Sequence, residues 1–171
     1  MTPEHIIKRP ATLADLGALH ALVERAYRGE TARAGWTHEA DMIEGPRTDA
    51  ATLQGLIESK DEEVFVAERD GQIIGCVQVS NKGAGLAYLG LLAVDPDIQA
   101  SGLGKAMIAF AEQEAVARFG AKAIEMTVVS RRPELIAYYE RRGFIATGEM
   151  RPFPIVVVPP LELKVLKKAL G

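Results

Sequence analysis

Several things are scarce in this 171-residue chain, and each scarcity excludes something. Cys76 is the only cysteine, which rules out an intramolecular disulfide and any cysteine cluster for a metal. The histidines number three, His5, His20 and His38, and none has a ligand spacing such as His-x-x-x-His. No apolar run approaches the ~20 residues that a membrane-spanning helix needs. The basic residues form no long block: Arg131-Arg132, Arg141-Arg142 and Lys167-Lys168 are short pairs, and the net charge is −3. Nucleic acid usually asks for a basic surface, so it is not an expected partner. Near the N-terminus Ile6-Ile7 runs at once into Lys8-Arg9-Pro10, without a secretory pattern, and a cytoplasmic location is the expectation.

What remains has the composition of an ordinary globular protein, 48% hydrophobic and 25% charged. The length suits a single domain over residues 1–171, and no repeat or interdomain linker is visible. Residues 6–9 read as a short strand stopped by Pro10. Thr12 can cap a helix beginning near Leu13, with Asp15 in its first turn and Leu16, Leu19, Leu22, Val23 and Ala26 at helical spacing. Asp49 can cap a second helix. The period then changes to two: residues 64–69 and 72–80 form a hairpin about Asp70-Gly71, and Asn81-Lys82-Gly83 is a further turn. Leu86 to Val94 is apolar almost throughout, as a strand covered on both faces should be.

Residues 102–120 form a helix closed by Gly120, residues 123–129 a strand, and Pro133 opens a helix that ends before Gly143. Strands over 144–147 and 161–166 follow, with an irregular hydrophobic stretch between them. The order is β-α-α-β-β-β-α-β-α-β-β. The strand–helix–strand unit over residues 86–129 implies a parallel pair with a right-handed crossover. The fold class is therefore α/β, a mixed sheet with helices on its faces.

Gln99-Ala100-Ser101-Gly102-Leu103-Gly104-Lys105 follows a buried strand and opens a helix. The first N–H groups of a helix lack intrahelical partners, and the helix dipole is positive there. Glycine lets a diphosphate approach the backbone, Ser101 adds a hydroxyl and Lys105 a charge. A dinucleotide fingerprint would place a third glycine at position 107, which is Met107. A Walker A loop needs four residues between its glycines, and here there is one. The alternative is a tight turn that binds nothing.

With Leu91-Leu92-Ala93-Val94-Asp95-Pro96 ahead of it, the segment Gln99-x-x-Gly102-x-Gly104 resembles the coenzyme A signature of the GNAT superfamily. Ala137-Tyr138-Tyr139-Glu140-Arg141-Arg142-Gly143-Phe144 resembles that family's second cofactor helix, with its alanine two residues before Tyr139. The resemblance spans nearly the whole chain and implies a central, mostly antiparallel sheet with one splayed parallel strand pair. It implies acetyl-coenzyme A as co-substrate, no metal, and transfer of an acetyl group to a primary amine of a small molecule. The diphosphate would sit on the backbone of Gln99, Ala100, Ser101, Gly102, Leu103, Gly104 and Lys105. The pantetheine arm would pair with Leu92, Ala93 and Val94, and Tyr139 would protonate the departing thiolate. Tyr138 is read as packing.

An asparagine common in the family before the second cofactor helix is replaced by the Arg131-Arg132-Pro133 stretch. No carboxylate stands on the strand Leu86 to Val94. Glu125 on the neighbouring strand is a candidate base, with a solvent-facing position as its alternative. Glu39 and Asp41 are others, beside a water chain to bulk. Cys76 reads as a buried small hydrophobe. The resemblance implies that the acceptor enters between residues 28–47 and 150–160, where Trp36 and Glu39 are the expected contacts; a solvated loop anchored by Trp36 is the alternative. The hydrophobic run 153–160 also suits a homodimer surface. Two other readings keep the scaffold: a non-catalytic coenzyme A sensor, and acetylation of a protein or peptide amine.

Overall fold

The computed structural model describes residues 6–27, 49–152 and 162–170; the side chains of residues 99–101 are not described. Strand β1 is Ile6–Pro10. A 3-10 turn at Leu13–Asp15 leads into α1, Leu16–Tyr27, so the regular helix starts three residues later than its cap suggests. Thr12 and Asp15 close a reciprocal box around that turn. Helix α2, Ala50–Glu58, begins with the Asp49 side chain accepting from the Thr52 N–H at 2.7 Å.

Strands β2 (Glu62–Arg69) and β3 (Gln72–Gly83) form the expected hairpin, with Asp70 and Gly71 both at positive φ. The turn expected at Asn81-Lys82-Gly83 is displaced. There β3 continues, Asn81 pairing with Ala87 and Gly83 with Leu86. The reversal is made by Ala84 and Gly85, at φ 54° and 80°. Two successive positive φ values match the right-handed strand twist, which Asn81 as a ladder residue does not supply.

Strand β4 is Leu86–Val94, α3 is Leu103–Phe119, β5 is Ala123–Val129 and α4 is Pro133–Arg141. Strand β6, Ile145–Pro152, runs further than expected and is interrupted by a bulge at Gly148, φ 90°. Strand β7 is Glu162–Ala169. The seven strands form one sheet in the order β1-β2-β3-β4-β5-β7-β6, antiparallel except for β4 and β5.

Register partners share a face of the sheet, which divides the core in two. On one face Val77, Val79, Leu89, Ile124, Met126, Val128 and Leu166 pack with Met107, Ile108 and Ala111 of α3 and with Tyr139. On the other, Val64, Val66, Cys76, Leu91 and Ala93 pack under Leu19, Leu22 and Val23 of α1 and Leu53 of α2. Among the described residues, no helix is long and apolar enough to cross a membrane, and no three metal-ligating side chains are grouped.

Candidate active site

The site begins at a fault in the sheet. The parallel register of β4 with β5 covers Leu86↔Ala123, Ala87↔Ile124 and Tyr88↔Glu125, and goes no further. Just beyond, β4 bulges against β3: Gln78 pairs with Gly90 and Cys76 with Ala93, so two residues of β4 face one of β3. Leu91 takes up the extra length at φ 51°, a left-handed conformation that an L-residue avoids by roughly 1–2 kcal/mol. The buried Cys76 thiol donates to the Leu91 carbonyl at 3.2 Å, so the cysteine supports the bulge as well as filling space. Leu91 thereby joins the α1 side of the core and Leu92 the α3 side. The bulge re-aims the backbone of Leu92, Ala93 and Val94 where the strands part. Sequence reading missed this device; its one signal was Gly90 inside an apolar strand.

Strand β4 leads into the turn before α3. Asp95 Oδ1 accepts from the Asp97 N–H at 3.1 Å, and its Oδ2 takes Arg25 Nη2 of α1 at 2.6 Å. A kinked 3-10 segment, Pro96–Ser101, carries the chain to Gly102, whose φ of 85° and ψ of 4° favour glycine. A Cβ added at Gly102 would meet nothing within 4 Å among the described residues, so the chain is open to approach at that glycine. Leu103 and Gly104 are buried and Lys105 is exposed. On the inner side Gly75 leaves room for Leu103: a Cβ there would lie 3.3 Å from Leu103 Cδ2. The first turn of a seventeen-residue helix is thus set close on the sheet with an open, glycine-backed entrance. Those features fit a diphosphate-bearing cofactor.

Tyr139 lies on the α3 side, 4% exposed, with its ring edge-on to Tyr138 and Phe144 at 5.4 and 6.1 Å. In the Arg131-Arg132-Pro133 stretch, Arg132 is 5% exposed and pairs with Glu134 at 2.8 Å, while Arg131 is exposed.

The opposite face carries polar groups that the sequence only hinted at. Glu125 does not face solvent: it is 8% exposed, and Arg151 Nη2 of β6 lies 3.2 Å from both of its oxygens. Of the two positions left open for it, the buried one results because β7 and then β6 extend the sheet beyond β5. Arg151 Nε also donates to Glu149 at 2.7 Å. Its guanidinium is held more firmly protonated, first by Glu149 and, against the desolvation that burial brings, by Glu125. Beside this pair the Tyr88 hydroxyl lies 2.8 Å from Thr127 Oγ1, and Gln78 Nε2 donates to Ser80 Oγ. Gly90 makes room for them, since a Cβ there would lie 3.1 Å from the Tyr88 ring. Trp36, Glu39, Asp41 and the run 153–160 lie outside the described residues.

Comparisons with known proteins bear on the fold and the family. The family model described as "Acetyltransferase (GNAT) family" matches residues 20–144. S-(2-succino)cysteine N-acetyltransferase of Bacillus subtilis is 28% identical over 98 residues, 53% of this chain and 59% of that protein, so the match spans less than two thirds of the relative's length. The ribosomal-protein-S18-alanine N-acetyltransferase of Escherichia coli has the same fold, with a TM-score of 0.76 at 19% identity, covering 98% of this chain and 95% of that one. A Salmonella typhimurium protein described as an acetyltransferase with its cofactor acetyl-CoA gives a TM-score of 0.73 at 20% identity, over 98% and 95% of the two chains. With a family model matched over most of its length and with the parted strands, bulge and glycine turn in place, this chain belongs to the GNAT acetyltransferase family.

Proposed function

We propose that the chain moves an acetyl group from acetyl-coenzyme A to a primary amine of a small molecule, by direct attack within a ternary complex. The observation that carries this reading is the parting of β4 from β5 after Tyr88, between a bare glycine turn on one side and a polar face on the other. When bound, acetyl-coenzyme A supplies the thioester whose C–S bond breaks as the new C–N bond forms.

The residues divide the work by face. The backbone from Gln99 to Lys105 binds the diphosphate, and the side chain of Lys105 adds charge at its exposed position. Leu92, Ala93 and Val94 align the pantetheine arm along the bulged end of β4, and backbone N–H groups there polarise the thioester carbonyl. Tyr139, on the α3 side, gives its phenolic proton to the departing sulfur. The amine approaches from the opposite face, past Tyr88 and Thr127, and its proton passes through a chain of water to bulk solvent. Trp36 and Glu39 are proposed as further contacts to the acceptor. The Bacillus subtilis relative, named for a small amine-bearing acceptor, supports a small molecule over a protein terminus.

The test is calorimetric titration with acetyl-coenzyme A of the parent and of Gly102→Glu, which places a carboxylate in the open turn. Binding by the parent and its loss in the variant are expected. Tyr139→Phe should keep cofactor affinity and lower turnover by roughly 100-fold or more. A folded parent that does not bind would refute the transferase reading. Binding without turnover of any amine would leave a coenzyme A sensor.

A further inference from the structure

We infer that the Glu125–Arg151 pair is the acceptor-recognition site, and that the acceptor is a zwitterionic amine of the amino-acid class, its ammonium on Glu125 and its carboxylate on Arg151. This rests on the transferase reading above and deepens it.

Position comes first. Glu125 belongs to the last register pair before β4 and β5 separate, so its carboxylate stands at the root of the opening. It shares a face with Tyr88 and Thr127, the face away from α3 and Tyr139. An acceptor that attacks the thioester from the side opposite the leaving sulfur's acid must come over these side chains.

Charge comes second. Glu125 has a side chain only 10% exposed, whereas that of Arg151 is 34% exposed. Arg151 spends Nε on Glu149 and Nη2 on Glu125, and Nη1 takes part in neither bond. The pair therefore presents a carboxylate next to an accessible guanidinium edge. Guanidinium is well matched to a carboxylate, with several donors in one plane. A zwitterion laid antiparallel on this dipole meets opposite charge at both ends. A polyamine brings only positive charge against Arg151, and an amine without a carboxylate leaves the accessible guanidinium edge without a counter-ion from the ligand. Lys167, the β7 register partner of Glu125, is exposed and forms no ion pair among the described residues, so it leaves the dipole intact. The hydroxyls of Tyr88, Thr127 and Ser80 and the amide of Gln78 offer hydrogen bonds around it.

The experiment uses the full chain and a panel pairing proteinogenic amino acids with their decarboxylated amines, such as lysine with cadaverine and phenylalanine with phenethylamine, plus spermidine. Turnover with acetyl-coenzyme A is one readout. Calorimetric binding to protein saturated with coenzyme A is the other. At least one amino acid should bind and be acetylated, with kcat/KM roughly 10- to 100-fold above its decarboxylated partner. Arg151→Gln should remove that preference by raising KM for the amino acid alone. Arg151→Lys, which keeps the charge but not the fork, should fall between. Glu125→Gln should raise KM for both partners. Preference for decarboxylated amines or spermidine would overturn the inference while leaving the transferase standing. So would an equal effect of Arg151→Gln on both partners, or no amino acid bound by protein that does bind acetyl-coenzyme A. Absence of acetyl-coenzyme A binding would instead remove the transferase reading, and this inference with it.

Discussion

Asp15 ties the first strand to the first helix. Its carboxylate accepts from Arg9 Nη1 and Nη2 at 2.8 and 2.9 Å and from the Thr12 N–H at 2.8 Å. The Arg9 hydrogen bonds are the main reason its carboxyl falls from 3.8 to about 2. With a side chain 12% exposed, the shift corresponds to roughly 2 kcal/mol. A depressed carboxyl stabilises the fold above its unfolded value, and that contribution is lost as pH falls from 3.8 toward about 2. Asp15→Asn should therefore lower unfolding free energy by about 1–2 kcal/mol at neutral pH, read from urea midpoints. The gap between parent and variant should narrow as acid protonates Asp15. A gap that held constant through that range would mean that Asp15 acts through packing, not charge.

At the scale of elements, the turn between β4 and α3 is the piece whose order matters most to a phosphate ligand. Asp95 holds it from two sides, bonding Asp97 within the turn and Arg25 on α1. Asp95→Ala should loosen the turn without emptying any core position and raise the acetyl-coenzyme A Kd about 5-fold, an ordering loss of ~1 kcal/mol. Arg25→Gln, at a more exposed end of the pair, should do less. Unchanged affinity in both would show the turn to be ordered by Gly102 and Leu103 alone. This element was legible in the sequence because its signals are local: Asp95 and Pro96 stop a strand, and Gly102 occupies a left-handed cap. The hairpin at Asp70-Gly71 and the ends of β4 and β5 were legible for the same reason. The bulge was not, because Leu91 carries no mark of positive φ in its side chain; the neighbouring Cys76 and the ladder impose it. Which way Glu125 faces was left open on similar grounds. Its burial depends on Arg151, which is distant in sequence and arrives only when β6 and β7 close the sheet.

At the scale of the molecule, the sheet is two ladders joined by a short seam. Strands β1 to β4 form one antiparallel set and β5, β7 and β6 the other, and their shared register is three pairs at one end of β4. Helix α3 crosses the seam, carrying Met107, Ile108 and Ala111 over a core that draws on both ladders. A ligand lying in the opening touches β4 on one side and β5 on the other, so it braces the halves as well as binding to one. Because it binds only the folded chain, acetyl-coenzyme A at a hundredfold excess over Kd should add about 2.7 kcal/mol to stability. For a chain of this size that is a rise in Tm of roughly 5–10 °C. Gly102→Glu should melt several degrees below the parent, because a residue with a Cβ pays roughly 1–2 kcal/mol at that positive φ, and should show no rise with ligand. If the ligand braces the seam, amide exchange in β5 should also slow relative to β1 and β2, which lie far from the opening. A rise in Tm with protection confined to the turn at 96–102 would place the cofactor on the diphosphate cradle alone, outside the parted strands.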